Sequence, residues 1–126
     1  MKKYLRIAVV LISVATMISG FVQMIFPDFI LGIIGGETIE SNSHSFSIVG
    51  MFMLIFGSLL LHNTYSIKES PVTIFWCAIQ KLGAAVAVSV GIYKGLFIML
   101  AGAVAGFDLF SGILFLIYLK QVKKNA

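Results

Sequence analysis

Four long apolar runs, separated by short polar or glycine-bearing stretches, occupy almost the whole chain. They cover residues 4–26 (YLRIAVVLISVATMISGFVQMIF), 46–63, 72–93 and 96–119. Crossing the ~30 Å hydrocarbon core of a bilayer takes about 20 mostly apolar residues, each rising 1.5 Å along a helix. The four runs have about that length. Hydrocarbon offers no partner to backbone N–H and C=O groups, so each run must satisfy its own, which a helix does. The pattern predicts an all-α fold, a four-transmembrane-helix antiparallel bundle forming a single integral membrane domain, residues 1–126.

The breaks between runs carry their own signals. Pro27 ends the first helix. The segment DFILGIIGG after it is apolar but too short to cross; Phe29, Ile30, Leu31, Ile33 and Ile34 suit a short turn of helix lying in the interface, ended by Gly35 and Gly36. ETIESNSHS follows, polar and without lysine or arginine, and reads as the longest loop and a mobile cap. Gly50, Gly57 and Ser58 punctuate the second run. Pro71 fits the first turn of the third helix, where its missing N–H costs nothing. The link YKG is tight, so the third and fourth helices are expected to be antiparallel neighbours. Gly102 and Gly106 share a face of the fourth helix, and Gly83, Ala84, Ala87 and Gly91 offer a matching series on the third. Small residues at that spacing predict close packing of the two helices in lipid.

Composition agrees with the pattern. The 126 residues are 60% hydrophobic and 11% charged, against roughly 25% charged in a soluble domain. The spans leave no room for a soluble catalytic domain. The net charge of +4 does not form a nucleic-acid face. Lys2, Lys3 and Arg6 open the chain and Lys120, Lys123 and Lys124 close it, flanking apolar helices, so no nucleic acid is expected as a partner. With Lys68, these make seven of the nine basic residues; the first outer loop has none and the second only Lys94. That asymmetry predicts both termini in the cytoplasm. The first run is read as a retained signal-anchor: it is longer than a signal-peptide core, and no A-x-A site or lipoprotein cysteine follows. Cys77, the only cysteine, allows no intramolecular disulfide and is read as a small packing residue.

Two ionisable residues interrupt the apolar runs. Lys81 and Asp108 each lie about ten residues, or about 15 Å, from the cytoplasmic end of their helices, near the midplane. A charge there costs about 2.5–3.5 kcal/mol on the insertion scale, and a lysine stem does not reach water over that distance. Equal depth on adjacent helices predicts that the two face each other. They form either an ion pair that fixes helix register or a polar site lining a cavity for a ligand, an ion or a proton; the two readings are compatible. Ser111, three residues after Asp108, shares its face and is expected to hydrogen-bond into the site. Gln80 points about 100° away from Lys81 and is expected to reach another neighbour; it is counted with Lys81, Asp108 and Ser111 among the candidate site residues. Trp76 reads as an interfacial belt residue. Gln23 and His44 are expected near the outer face and His62 near the inner one, which argues against haem held by both histidines. No nucleotide loop, HExxH, CxxC or serine–histidine–aspartate set is present. Neither an enzyme of the ordinary kinds nor a metal or other cofactor is expected.

The whole chain resembles the small four-helix bacterial membrane proteins of the DoxX-like type. The motifs are a first helix ending in IFPDFILGIIGG, a glycine-bearing second helix (GMFMLIFGSLL), W-x-x-x-QKLG in the third, and a fourth ending DLFSGILFLIYL. The resemblance implies a multi-pass protein of the bacterial inner (cytoplasmic) membrane, in a family with a few members linked to redox enzymes or quinone chemistry. It carries no catalytic residue over to this chain. Three functions compete: a non-enzymatic protein binding a small lipophilic ligand or a partner within the bundle, a transport or proton-relay protein built on Lys81 and Asp108, and a membrane subunit of a redox enzyme with a quinone site. The expected partners are the lipid bilayer, a lipophilic small molecule, and a second copy or another membrane protein. Four helices are few for a transporter, so that reading requires an oligomer.

Overall fold

A computed structural model describes residues 2–125 and contains five helices: α1 (Lys2–Ile25), α2 (Pro27–Ile34), α3 (Glu40–Thr64), α4 (Pro71–Tyr93) and α5 (Ala101–Asn125). All but α2 are long and apolar enough to cross a membrane. Among the described residues there is no strand. α1 packs along α3 and α4 along α5, and the two pairs meet through α1 with α5 and α3 with α4. Hydrogen bonds between remote segments fix the antiparallel sense. At the end of the bundle holding both chain termini, Arg6 Nη2 donates to Thr64 O at 2.8 Å and Tyr118 Oη to Glu69 Oε1 at 2.5 Å. At the opposite, distal end, Ser47 Oγ donates to Met24 O at 2.6 Å.

Three expectations are corrected. The polar stretch read as a long loop is mostly helix: α3 begins at Glu40, leaving only residues 35–39 as linker. Glu40 in the first turn suits the helix dipole, and extending a helix already anchored by its apolar part costs little. Asn42 Nδ2 donates to Glu37 O at 3.1 Å and Ser43 Oγ to the Asp28 carboxylate, tying the start of α3 to its linker and to α2. Secondly, the connection between α4 and α5 is not a tight YKG turn. It spans residues 94–100, turns at Gly95 (φ +77) and returns Phe97 against Gly91, where a Cβ would lie 2.6 Å from the ring.

The third correction concerns small residues. Gly83 and Gly106 have nothing within 4 Å of a notional Cβ, and Gly102 only Ile92 at 3.9 Å. α4 and α5 approach most closely further toward the terminal end, at Gly112, where a Cβ would meet the Leu82 side chain at 2.6 Å and Ala78 O at 3.2 Å. The tightest backbone contact is between α1 and α3: a Cβ on Gly20 would lie 2.6 Å from Gly50 O and from Leu54 N, and one on Gly50 2.6 Å from Met24 N. A Cβ on Gly57 would lie 2.9 Å from Ser13 O. Without side chains between them the two backbones nearly touch, as small residues permit in lipid.

The two ends of the bundle are filled differently. The terminal half is a closed core of Leu5, Val9, Ile12, Leu60, Ile74, Cys77, Ala78, Phe115, Tyr118 and Leu119. At the distal end α2 lies across the bundle. Its Leu31 and Ile34 are buried with Ala101, against Phe46, Val88, Ile92 and Phe97. Gly35 ends α2 in the left-handed conformation (φ +81), its N–H donating to Leu31 O, and Ile98 N donates to Ile34 O at 2.8 Å. α2 is therefore held across the end of the bundle as a cover, with Phe29 and Ile33 left exposed.

Candidate functional site

Between the cover and the closed core lies a cavity of about 480 Å3. α1 contributes Thr16, Ser19 and Gln23; α2 contributes Ile30, Ile33 and Ile34; α3 contributes Phe46, Val49 and Met53. Gln80, Lys81, Ala84 and Val88 line it from α4, and Val104, Phe107 and Asp108 from α5, with Phe97 from the link. The walls are mostly apolar, with a few convergent polar groups, as in small-molecule sites generally. Ser19, Val49, Val104 and Phe107 are exposed as well as lining it. With α2 and Phe97 across the end, these positions put the opening on the side of the bundle, toward the surface that meets lipid.

Lys81 and Asp108 form the floor. Lys81 Nζ lies 3.2 Å from Asp108 Oδ1 and 2.7 Å from Thr16 Oγ1, so one ammonium ties α4 to both α5 and α1. It also sits 5.2 Å from the centroid of the Phe107 ring, within cation–π range. The pair is not symmetrically buried: the Lys81 side chain is 4% exposed and that of Asp108 12%. Among the described residues, Asp108 Oδ2 and the Gln80 amide have no protein hydrogen-bond partner. Gln80, about 100° around α4 from Lys81, lines the same cavity, which is wide enough to span the angle between them.

Ser111 stands apart from the site. It is fully buried, its hydroxyl finds no partner, and it does not line the cavity; one turn beyond Asp108 toward the terminal end, the core is already closed. Sequence reasoning missed Thr16 and Gln23. Gln23, expected near the outer face, stands two residues before the end of α1; it is buried, lines the cavity and donates through Nε2 to Phe46 O at 3.0 Å. The signal was present: Thr16, Ser19 and Gln23 recur at helical spacing and form a polar stripe on an otherwise apolar helix.

Below the floor, toward the terminal end, there is only a void of about 10 Å3, lined in part by Ser13, Thr16, Gln80, Lys81 and Phe115. That is at most room for a single water. A second, shallow groove on the outside of α4 and α5, lined by Ala85, Ser89, Gly102, Ala105 and Gly106 among others, contains no ionisable side chain. His44 and His62 are exposed near opposite ends of α3. Among the described residues no three His, Cys, Asp or Glu side chains gather as a metal site would need. Cys77 is packed in the terminal core, and Trp76 is exposed, edge-on to Phe75 at 5.2 Å.

The outward faces of the long helices are mostly hydrocarbon, with Leu11, Ile18, Phe52, Val86 and Phe110 more than half exposed, while Lys81 and Asp108 turn inward. Such a molecule is a multi-pass helical membrane protein with a polar-floored cavity. No protein-family model, curated protein or solved structure matches the chain.

Proposed function

We propose that this is a non-enzymatic membrane protein that binds a small lipophilic molecule within its bundle, admitted sideways from the bilayer. The observation that carries this reading is the contrast between the two halves: one hollow, apolar-walled and floored by an ion pair, the other closed. A transport pathway would need a second opening, and the void of about 10 Å3 below the pair offers none. The site residues of this reading are Lys81, Asp108 and Gln80, joined by Thr16 and Gln23. Native mass spectrometry of gently extracted protein tests it. The wild type is expected to carry a lipophile of defined mass. Ala84→Phe, which fills the cavity from α4, is expected to reduce that occupancy at least about tenfold while leaving thermal stability close to wild type, since the new ring enters open space. Retention of the same ligand by a stable Ala84→Phe protein would overturn the proposal.

The proposal includes orientation. Basic residues at the terminal end of the bundle and at Lys68 support a cytoplasmic position for both termini, with α2 on the outer side; the resemblance of the quoted motifs to DoxX-like proteins supports the bacterial inner membrane. An alkaline phosphatase fused after the last residue is expected to be inactive, and one fused in the linker before α3 active. An active C-terminal fusion would reverse the assignment.

A further inference from the structure

We propose that the cavity selects its ligand by head group, taking uncharged lipophiles that carry a hydrogen-bond donor, such as alcohols and primary amides, and excluding carboxylates and ammonium groups on the same chain. The inference rests on the reading that the cavity binds a lipophile and concerns what the floor recognises. The Lys81 ammonium is committed to Thr16 Oγ1 at 2.7 Å and Asp108 Oδ1 at 3.2 Å, with Phe107 beside it. It has no free charge to offer an anion. The open valence that carries charge is an acceptor, Asp108 Oδ2, on the more exposed member of the pair, and Gln23 Oε1 is a second acceptor; Gln23, with one amide N–H on Phe46 O, and Thr16, whose hydroxyl accepts from Lys81, each keep one neutral donor. The Gln80 amide offers both a donor and an acceptor. An incoming O–H or N–H finds partners here, and its own oxygen finds the Gln80 amide nitrogen.

A charged head group meets the opposite situation. The ion pair is neutral as a unit. A carboxylate entering the cavity faces the free oxygen of Asp108, and an ammonium faces a carboxylate whose charge Lys81 already balances. Either would lose its hydration without a compensating charge, which is expensive in an apolar surround. The same argument predicts a switch. Asp108→Asn leaves Lys81 without a counter-ion, so a carboxylate ligand would supply what the protein lacks. Lys81→Met leaves Asp108 alone and favours an ammonium ligand.

The experiment uses the full chain in lipid nanodiscs at about pH 8.5, where a carboxylic acid is anionic and a primary amine cationic. Binding of decanol, decanamide, methyl decanoate, decanoate and decylamine is measured by native mass spectrometry, corrected for the partition of each probe into lipid alone. In the wild type, decanol and decanamide are expected to bind at least about tenfold tighter than decanoate or decylamine. Methyl decanoate, uncharged but without a donor, is expected to fall between. Decanoate or decylamine binding as well as decanol would overturn the inference, as would methyl decanoate matching decanol. If no probe binds at all, the lipophile-binding reading itself fails. In Asp108→Asn the preference is expected to invert toward decanoate, which should also raise the thermal midpoint of that variant; an unchanged order would exclude the pair as the selecting element. If that variant does not fold, the wild-type order decides alone.

Discussion

Lys81→Met alone and Asp108→Leu alone are each expected to destabilise the protein by about 3–5 kcal/mol, the usual consequence of stranding one member of a buried ion pair. Lys81 is the side chain through which α4 reaches both α1 and α5, at 2.7 Å from Thr16 Oγ1 and 3.2 Å from Asp108 Oδ1. Removing Asp108 leaves an ammonium 4% exposed with one hydroxyl and an aromatic ring for company. Removing Lys81 leaves a carboxylate at the floor of an apolar cavity. Lys81→Met/Asp108→Leu removes both charges while keeping similar volume, and is expected to recover most of the loss. Thermal unfolding of detergent-extracted protein, together with expression level, reads the cycle. Single effects that simply add in the double variant would mean that the two side chains do not interact. The recovered double variant is also expected to lose the preference for decanol over methyl decanoate, since Asp108 Oδ2 is gone, while still excluding charged head groups, which separates the pair's recognition role from its structural one.

The second large effect is expected at glycines whose neighbours cannot yield. Gly20→Ala and Gly50→Ala each place a methyl 2.6 Å from backbone atoms of the facing helix. Backbone cannot rotate aside as a side-chain tip does, so α1 and α3 must separate along the seam. Overpacking of this kind costs about 1–3 kcal/mol per site and sometimes more, and separation would also strain the Gln23 to Phe46 and Ser47 to Met24 hydrogen bonds at the same crossing. Gly83→Ala and Gly106→Ala are the controls. Nothing lies within 4 Å of the added methyl at either position, so these variants are expected to match wild type in thermal unfolding or exceed it slightly, alanine being the better helix former. Equal losses at all four positions would mean that α4 and α5 pack on the GAVAG face after all.

The alternation of packed and open regions explains how a chain this short holds a cavity. The terminal half supplies the apolar packing, and the distal half is spanned by α2, which Gly35, Ile98 and the Ser43–Asp28 contact hold in place. Phe97 and Ile34 close the top, while the side opening leaves room for a tail to remain in lipid. The hollow is therefore a consequence of where small side chains such as Ala84 and Ala101 face inward, opposite a floor whose two largest polar groups are drawn together by charge.

The sequence by itself determined the number of long apolar helices, the all-helical class and the anomaly of two charges within them. It could do so because the bilayer acts on each residue separately: hydrocarbon penalises every unpaired backbone group and every charge within it, whatever the helices do next. The short apolar segment after Pro27 was also legible as helix, since proline and paired glycines bound it. The tertiary structure alone decided which glycines matter. A glycine every fourth residue marks only a face with little volume; Gly20 and Gly50 became a seam because α3 crosses α1 there, while Gly102 and Gly106 border an open groove. It also decided that α2 covers the bundle, that the polar stretch beginning at Glu40 winds into α3, and that Thr16 and Gln23 face the same space as Gln80 and Lys81 while Ser111 does not. Neutral polar side chains cost too little in a membrane helix to announce their partners, and a cavity is a property of the space between helices, which no single residue encodes.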